Sequence, residues 1–177
     1  MKYMKRRFLF AAALLSLLLA FLGGCAIVNT AGGVRDLTLE EIADKLCDNV
    51  DVPPYEVIPL DQTTFEYYSF VPYDDSLSAV AADALVNITP HSMVVIRAEK
   101  GNGTDIANTA IQNADPNKWL CVGSETVHVA YTDHYVLLVM SDKATTEGIV
   151  ENFKGMAKDL DGMSITVLSA ENSRYEW

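Results

Sequence analysis

The spacing of hydrophobic positions changes several times along this chain, and each change predicts an element. Leu39, Ile42, Leu46 and Val50 recur at helical spacing. Thr38 and Glu41 stand where a capping box would start that helix, and Pro53-Pro54 must end it. Residues 55–76 are aromatic and irregular, with Asp61 placed to cap a short helix running to Tyr68. From Leu77 the pattern turns extended. Ala79 to Ile88 and Met93 to Ala98 read as strands, joined by Thr89-Pro90-His91-Ser92. Thr104 and Asp105 open a helix with Ile106, Ala110, Ile111 and Ala114 on one face, and Asp115-Pro116 ends it. The plan then repeats. Thr126 to Tyr131 is a strand, Thr132-Asp133 a two-residue turn, and Tyr135 to Met140 a strongly apolar strand. Ser141 or Asp142 caps a last helix carrying Ile149, Val150, Phe153, Ala157 and Leu160. Asp161-Gly162 stops it, and Ile165 to Leu168 adds a possible short strand.

The order is an N-terminal helix, a short helix, then strand-strand-helix twice. Strands this close in sequence pair as antiparallel hairpins. The expected fold is α+β: a four-stranded, mainly antiparallel sheet with helices packed on one face. Residues 37–170 form one globular domain, and residues 171–177 a C-terminal tail.

The start of the chain follows a different logic. Lys2, Lys5, Arg6 and Arg7 precede an apolar run from Phe8 to Leu22, which is followed by Leu22-Gly23-Gly24-Cys25. A basic segment, an apolar segment and small residues before a cleavage point make an export signal. The run is shorter than the roughly 20 residues of a spanning helix. Leu22, Gly23, Gly24 and Cys25 resemble the lipobox of bacterial lipoproteins. That resemblance implies a lipid on the Cys25 thiol, cleavage after residue 24, and residence on the extracytoplasmic face of the cell membrane. Two acyl chains hold a protein stably where one does not. Residues 25–36, with Gly32-Gly33, read as a flexible tether.

Four of the 13 basic residues and none of the 24 acidic ones lie in residues 1–24. The rest of the chain therefore carries nine basic against 24 acidic residues, a net charge of −15. Such a domain is repelled by nucleic acid and by anionic headgroups. Export permits disulfides. With Cys25 lipidated, Cys47 and Cys121 remain, and they read as two separate buried thiols rather than a bridge.

A wider likeness rests on the Leu37–Leu46 helix, Met93-Val94-Val95-Ile96-Arg97-Ala98, Asn113 to Val122 (with Asp115-Pro116 and Trp119-Leu120-Cys121 the most distinctive part), Val136 to Ser141, and the helix at Ile149–Phe153. With the lipobox, these resemble the bacterial lipoproteins described as domain of unknown function 4358, over residues 37–160. The resemblance implies localisation and domain limits. It implies no activity and no catalytic residues.

Candidate chemistry is sparse. Three or four converging ligands make a zinc site. If Thr132-Asp133 is the turn, Tyr131 pairs with His134, and His128 falls on the opposite face from His134. No metal or cofactor is expected. His91 beside Ser92 is adjacency alone, and no Gly-x-Ser-x-Gly elbow is present. Gly101-Asn102-Gly103-Thr104 before a helix superficially suggests phosphate binding, but the Walker lysine is missing. Asp159-Leu160-Asp161-Gly162 lacks the spacing of a calcium loop. Asp74, Asp75 and Glu125 are acids that a glycosidase would have to bring together. Trp119 and Cys121 are expected to be buried structural anchors that pin the return from helix to sheet. The sequence thus predicts a membrane-tethered, non-enzymatic domain binding an unknown protein or small molecule. The alternative is an envelope hydrolase with a carboxylate or Cys121 site.

Overall fold

The computed structural model describes residues 36–86, 88–119, 121–160 and 165–171. The expected leader with Leu22, Gly23 and Gly24, the tether from Cys25 to residue 35, the helix stop at Asp161-Gly162 and the tail from residue 172 lie outside the described residues. Among the described residues, four helices and six strands follow in the order α1 (Leu39–Leu46), β1 (Tyr55–Pro59), α2 (Phe65–Ser69), β2 (Leu77–Ala84), β3 (Ser92–Ala98), α3 (Gly103–Asn113), β4 (Thr126–Tyr131), β5 (Tyr135–Ser141), α4 (Lys143–Leu160) and β6 (Thr166–Glu171).

The strands form one sheet ordered β1-β2-β3-β5-β4-β6, with every neighbouring pair antiparallel. Two expectations are corrected. The sheet has six strands rather than four, and the helices cover both of its faces rather than one. The physical reason lies in the central strands. Met93-Val94-Val95-Ile96 and Val136-Leu137-Leu138-Val139-Met140 are fully buried at every position. A strand exposed on one face alternates apolar and polar residues, whereas a strand covered on both is continuously apolar. Met93, Val95, Leu137 and Val139 pack with Ile42 and Leu46 of α1 and with Ile149 and Phe153 of α4. Val94, Ile96, Val136, Leu138 and Met140 pack on the other face with Phe65 of α2 and with Ile106, Ala107 and Ala110 of α3. Each large side chain so buried stabilises the fold by roughly 1.5–3 kcal/mol.

The extra strands are the sheet's edges. β1 ends in a proline, which an edge strand tolerates because its outer N–H has no ladder partner. β6 pairs with β4 from Thr126↔Glu171 to Tyr131↔Thr166. The β2 strand ends at Ala84, so the expected run to Ile88 is cut short, and Leu85, Val86 and Ile88 sit in the connection to β3.

Helix ends follow local chemistry. Glu41 N–H donates to Thr38 Oγ1 (3.2 Å) and Thr38 N–H to Glu41 Oε2 (2.9 Å), completing the capping box of α1. Asn152 of α4 donates to the carbonyls of Leu46 and Asp48, both at 2.9 Å, tying the end of α1 to its neighbour. Asp142 Oδ1 accepts from Thr145 N–H at 2.9 Å and caps α4. Gly103 opens α3 against the β4–β5 turn, its N–H donating to Asp133 O at 2.8 Å. A Cβ there would lie 2.0 Å from Thr132 O, so only glycine fits this approach.

Candidate functional site

The sheet has two distinct ends. Register places Leu77, Ala98, Tyr131 and Tyr135 at one, and Ala84, Ser92, Thr126 and Ser141 at the other. The chain joins the domain at the first end, where Arg97 Nη2 donates to Leu37 O at 3.1 Å. The β2–β3 connection lies at the second, about 20 Å away along a seven-residue strand.

At that far end three aliphatic side chains face solvent. Ile88 is 79% exposed, Leu85 61% and Val86 49%. Tyr67 of α2 is 64% exposed. Beneath it lies Lys118, whose Nζ meets Ser92 Oγ at 2.8 Å and Asp83 Oδ1 at 3.4 Å. The same ammonium stands over the rings of Trp119 (5.0 Å), Tyr68 (5.2 Å) and Tyr67 (5.8 Å). Its side chain is only 8% exposed, and burial lowers its pKa, opposed by Asp83. Lys118 therefore ties the connection after α3 to β2, β3 and α2. Cation–π attraction of this kind strengthens when water is excluded. Sequence reading passed over Lys118 because nothing in its neighbours forecasts burial. Trp119 is its sequence neighbour, but Tyr67 and Tyr68 come from α2, far upstream in the chain.

His91 is fully buried at the foot of the same connection. Its Nδ1–H donates to Ser141 Oγ at 3.2 Å, and that hydroxyl donates onward to Asp142 Oδ2 at 3.3 Å. Nε2 has no hydrogen-bond partner. Burial lowers the His91 pKa from 6.5 to about 4, so the ring is neutral. Ser92 shares the face of Val94 and Ile96, opposite to His91's, so the two do not form a nucleophile–base pair. Ser92 is itself 1% exposed.

The other sequence candidates scatter. Trp119 is half-buried against the α2–α3 side of the core. Cys121 is exposed, which corrects the expectation of a buried anchor. Residues 114–119 and 121–125 are irregular rather than a strand, so the surroundings of Trp119 do not repeat at Cys121. Cys47 is buried on α1's side, where burial raises its thiol pKa, and it is not bridged to Cys121.

The β4–β5 register differs from expectation by one residue on each side. Tyr131 pairs with Val136, and the turn is closed by Thr132 N–H to Tyr135 O (2.8 Å) and Tyr135 N–H to Thr132 Oγ1 (3.0 Å). The Thr132 side chain replaces a ladder bond and lengthens the loop. His128 is thus half-buried in β4, whereas His134 lies in the turn and its Nδ1–H donates to Ala98 O at 2.9 Å. Among the described residues no group of three or more His, Cys, Asp or Glu converges on a point fit for a metal. Asp74 precedes Leu77 and Glu125 precedes Thr126, so the acids weighed for glycoside cleavage stand at opposite ends of the sheet. At the glycine-rich stretch, the Gly103 amide that would face a phosphate is taken by Asp133 O.

No helix among the described residues is long and apolar enough to cross a membrane. Comparison with protein-family models, with curated protein sequences and with solved structures found no match for this chain.

Proposed function

We propose that this protein is a lipid-anchored domain on the extracytoplasmic face of the cell membrane, and that it works by binding rather than catalysis. The observation that carries the binding reading is the exposed aliphatic cluster Leu85, Val86 and Ile88, beside exposed Tyr67. Exposed apolar side chains gathered in one place mark interaction surfaces. The cluster stands at the end of the sheet away from Asp36, where a tether would present it outward. Around it lie Glu56, which is paired with Asp83 in register, and Glu66 beside Tyr67. Acidic surroundings disfavour an anionic bilayer as occupant and favour a protein partner with basic residues around an apolar patch. Of the alternative's groups, the carboxylates do not support it, because Asp74 and Asp75 stand at the opposite end of the sheet from Glu125.

The lipid anchor rests on the Leu22-Gly23-Gly24-Cys25 motif and on the likeness to domain of unknown function 4358. Cys25→Ser should abolish acyl labelling and leave the precursor unprocessed. A mutant processed and retained like the wild type would remove this part of the proposal. For binding, a photo-crosslinking residue is placed at Val86, and in a second strain at Lys158, in cells carrying the full chain. The expected result is one discrete adduct from position 86, weakened by Ile88→Asp, and none from position 158. Lipid adducts alone at 86 would make the cluster a membrane-dipping loop. Equal labelling from both positions would end the binding reading.

A further inference from the structure

A groove of about 570 Å³ opens at the other end of the sheet, between the start of α1 and strands β2 and β3. Leu37, Leu39, Leu60 and Val80 supply apolar walls, and Arg97 lines the groove among them. This volume lies within the range of small-molecule sites, which pair apolar walls with a few placed polar groups.

Arg97 is unusual in its company. It sits in β3 between Ser78 and Tyr135 in register. Its Nε donates to Tyr135 OH at 3.2 Å and its Nη2 to Leu37 O at 3.1 Å, with the guanidinium carbon 5.5 Å from the Tyr135 ring centre. Lys100, Lys118 and Lys154 each hold a carboxylate within 4 Å, whereas among the described residues Lys45, Lys143 and Lys158 do not. Among the described residues no carboxylate is that close to Arg97. The half-buried guanidinium is instead held by neutral partners, Tyr135 and the Leu37 carbonyl. A guanidinium carries five N–H donors, and two are used. Partial burial raises the value of any anion that pairs with it, most of all a carboxylate accepting two parallel bonds. The positive end of the α1 backbone adds in the same direction. Asp36 and Glu40 also line the groove. Their negative charge weighs against phosphate and other multiply charged anions more than against a monoanion whose apolar part covers the half-buried Leu37 and Leu60.

We propose that this groove binds a small molecule joining one carboxylate to an aliphatic body, with Arg97 as its anchor. This stands independently of the far-end cluster, from which it is separated by the length of the sheet.

The test uses the full lipidated chain in a non-ionic detergent, with binding followed by calorimetry at millimolar ligand. The probes are leucine, N-acetyl-leucine, the dipeptide Leu-Leu and hexanoate, with leucine amide and inorganic phosphate as controls. At least one carboxylate should bind saturably, and the controls should not. Which one binds separates a free amino acid, a blocked one, a peptide and a fatty acid as the source. Arg97→Gln should weaken that binding by about tenfold or more, the size of one lost charge-assisted contact. Because Arg97 also holds Leu37 and Tyr135, a second variant, Ser78→Leu, fills the groove from an exposed strand position with Arg97 intact. It should abolish binding while the melting temperature holds. Binding by no carboxylate overturns the proposal, as does equal binding by leucine amide or phosphate, or binding unchanged in Ser78→Leu.

Discussion

Acid should destabilise this domain through one residue, His91. The ring is fully buried, and its Nδ1–H is occupied by Ser141. A second proton would have to sit on Nε2, which has no hydrogen-bond acceptor beside it. Burial therefore holds the pKa at about 4, against 6.5 for an exposed histidine. The unfolded chain takes up a proton at His91 as pH falls below 6.5, and the folded chain does not until about pH 4. Folding stability is thus complete above 6.5, falls through that window, and levels off below it. The full loss is the difference in pKa at 1.36 kcal/mol per unit, roughly 3 kcal/mol. By pH 4.5 about 2.5 kcal/mol of it should be gone. Asp61 and Asp74, held near pKa 2 mainly by hydrogen bonds from Thr63 and Ser76, titrate below this window. The measurement is urea denaturation at pH 7 and pH 4.5 for the wild type and for His91→Gln, which keeps a donor for Ser141. The variant should start less stable at pH 7 and lose about 2.5 kcal/mol less on acidification. Parallel losses in the two proteins would show that His91 is not buried neutral and would refute the reasoning.

Three further outcomes follow from the same geometry. Lys118→Met should cost about 3 kcal/mol by chemical denaturation, because Asp83 and Ser92 lose a buried partner. Lys100→Met, at an exposed pair with Asp74, should leave the denaturation midpoint unchanged. In the native protein a maleimide reagent should modify Cys121 quickly and Cys47 only on unfolding, as peptide mass mapping would report. Gly103→Ala, a change that ordinarily favours a helix, should instead destabilise by about 1–3 kcal/mol in thermal melts, because the new methyl group meets Thr132 O.

The sequence showed its local structure clearly. The capping box at Thr38 and Glu41 forms as read, the β4 strand has the expected bounds, and Asp142 caps the last helix. These features depend on neighbours within four residues, so a linear pattern contains them. The two strands beyond the expected four are short edge segments, one of which, β6, overlaps the short strand read at Ile165 to Leu168. β1 is framed by prolines, and β6 was legible only as a weak apolar run after the last helix. The second layer of helices had a signal that went unused. The unbroken apolar run of β5 already required cover on both faces.

The candidate sites were less legible for a different reason. Whether Lys118 is a solvated surface lysine or a buried tie depends on Tyr67, Tyr68, Asp83 and Ser92, which arrive from α2, β2 and β3. Whether Arg97 is paired depends on which carboxylates the packing of α1 brings near. Sequence alone determined the helix caps, most strand positions and the acidic balance, because each is a property of local order or of composition. Tertiary structure alone decided that His91 is neutral, that Cys121 is exposed, and that aliphatic residues and a groove stand at opposite ends of the sheet. Burial and pairing are set by contacts between segments far apart in the chain, and no local pattern encodes them.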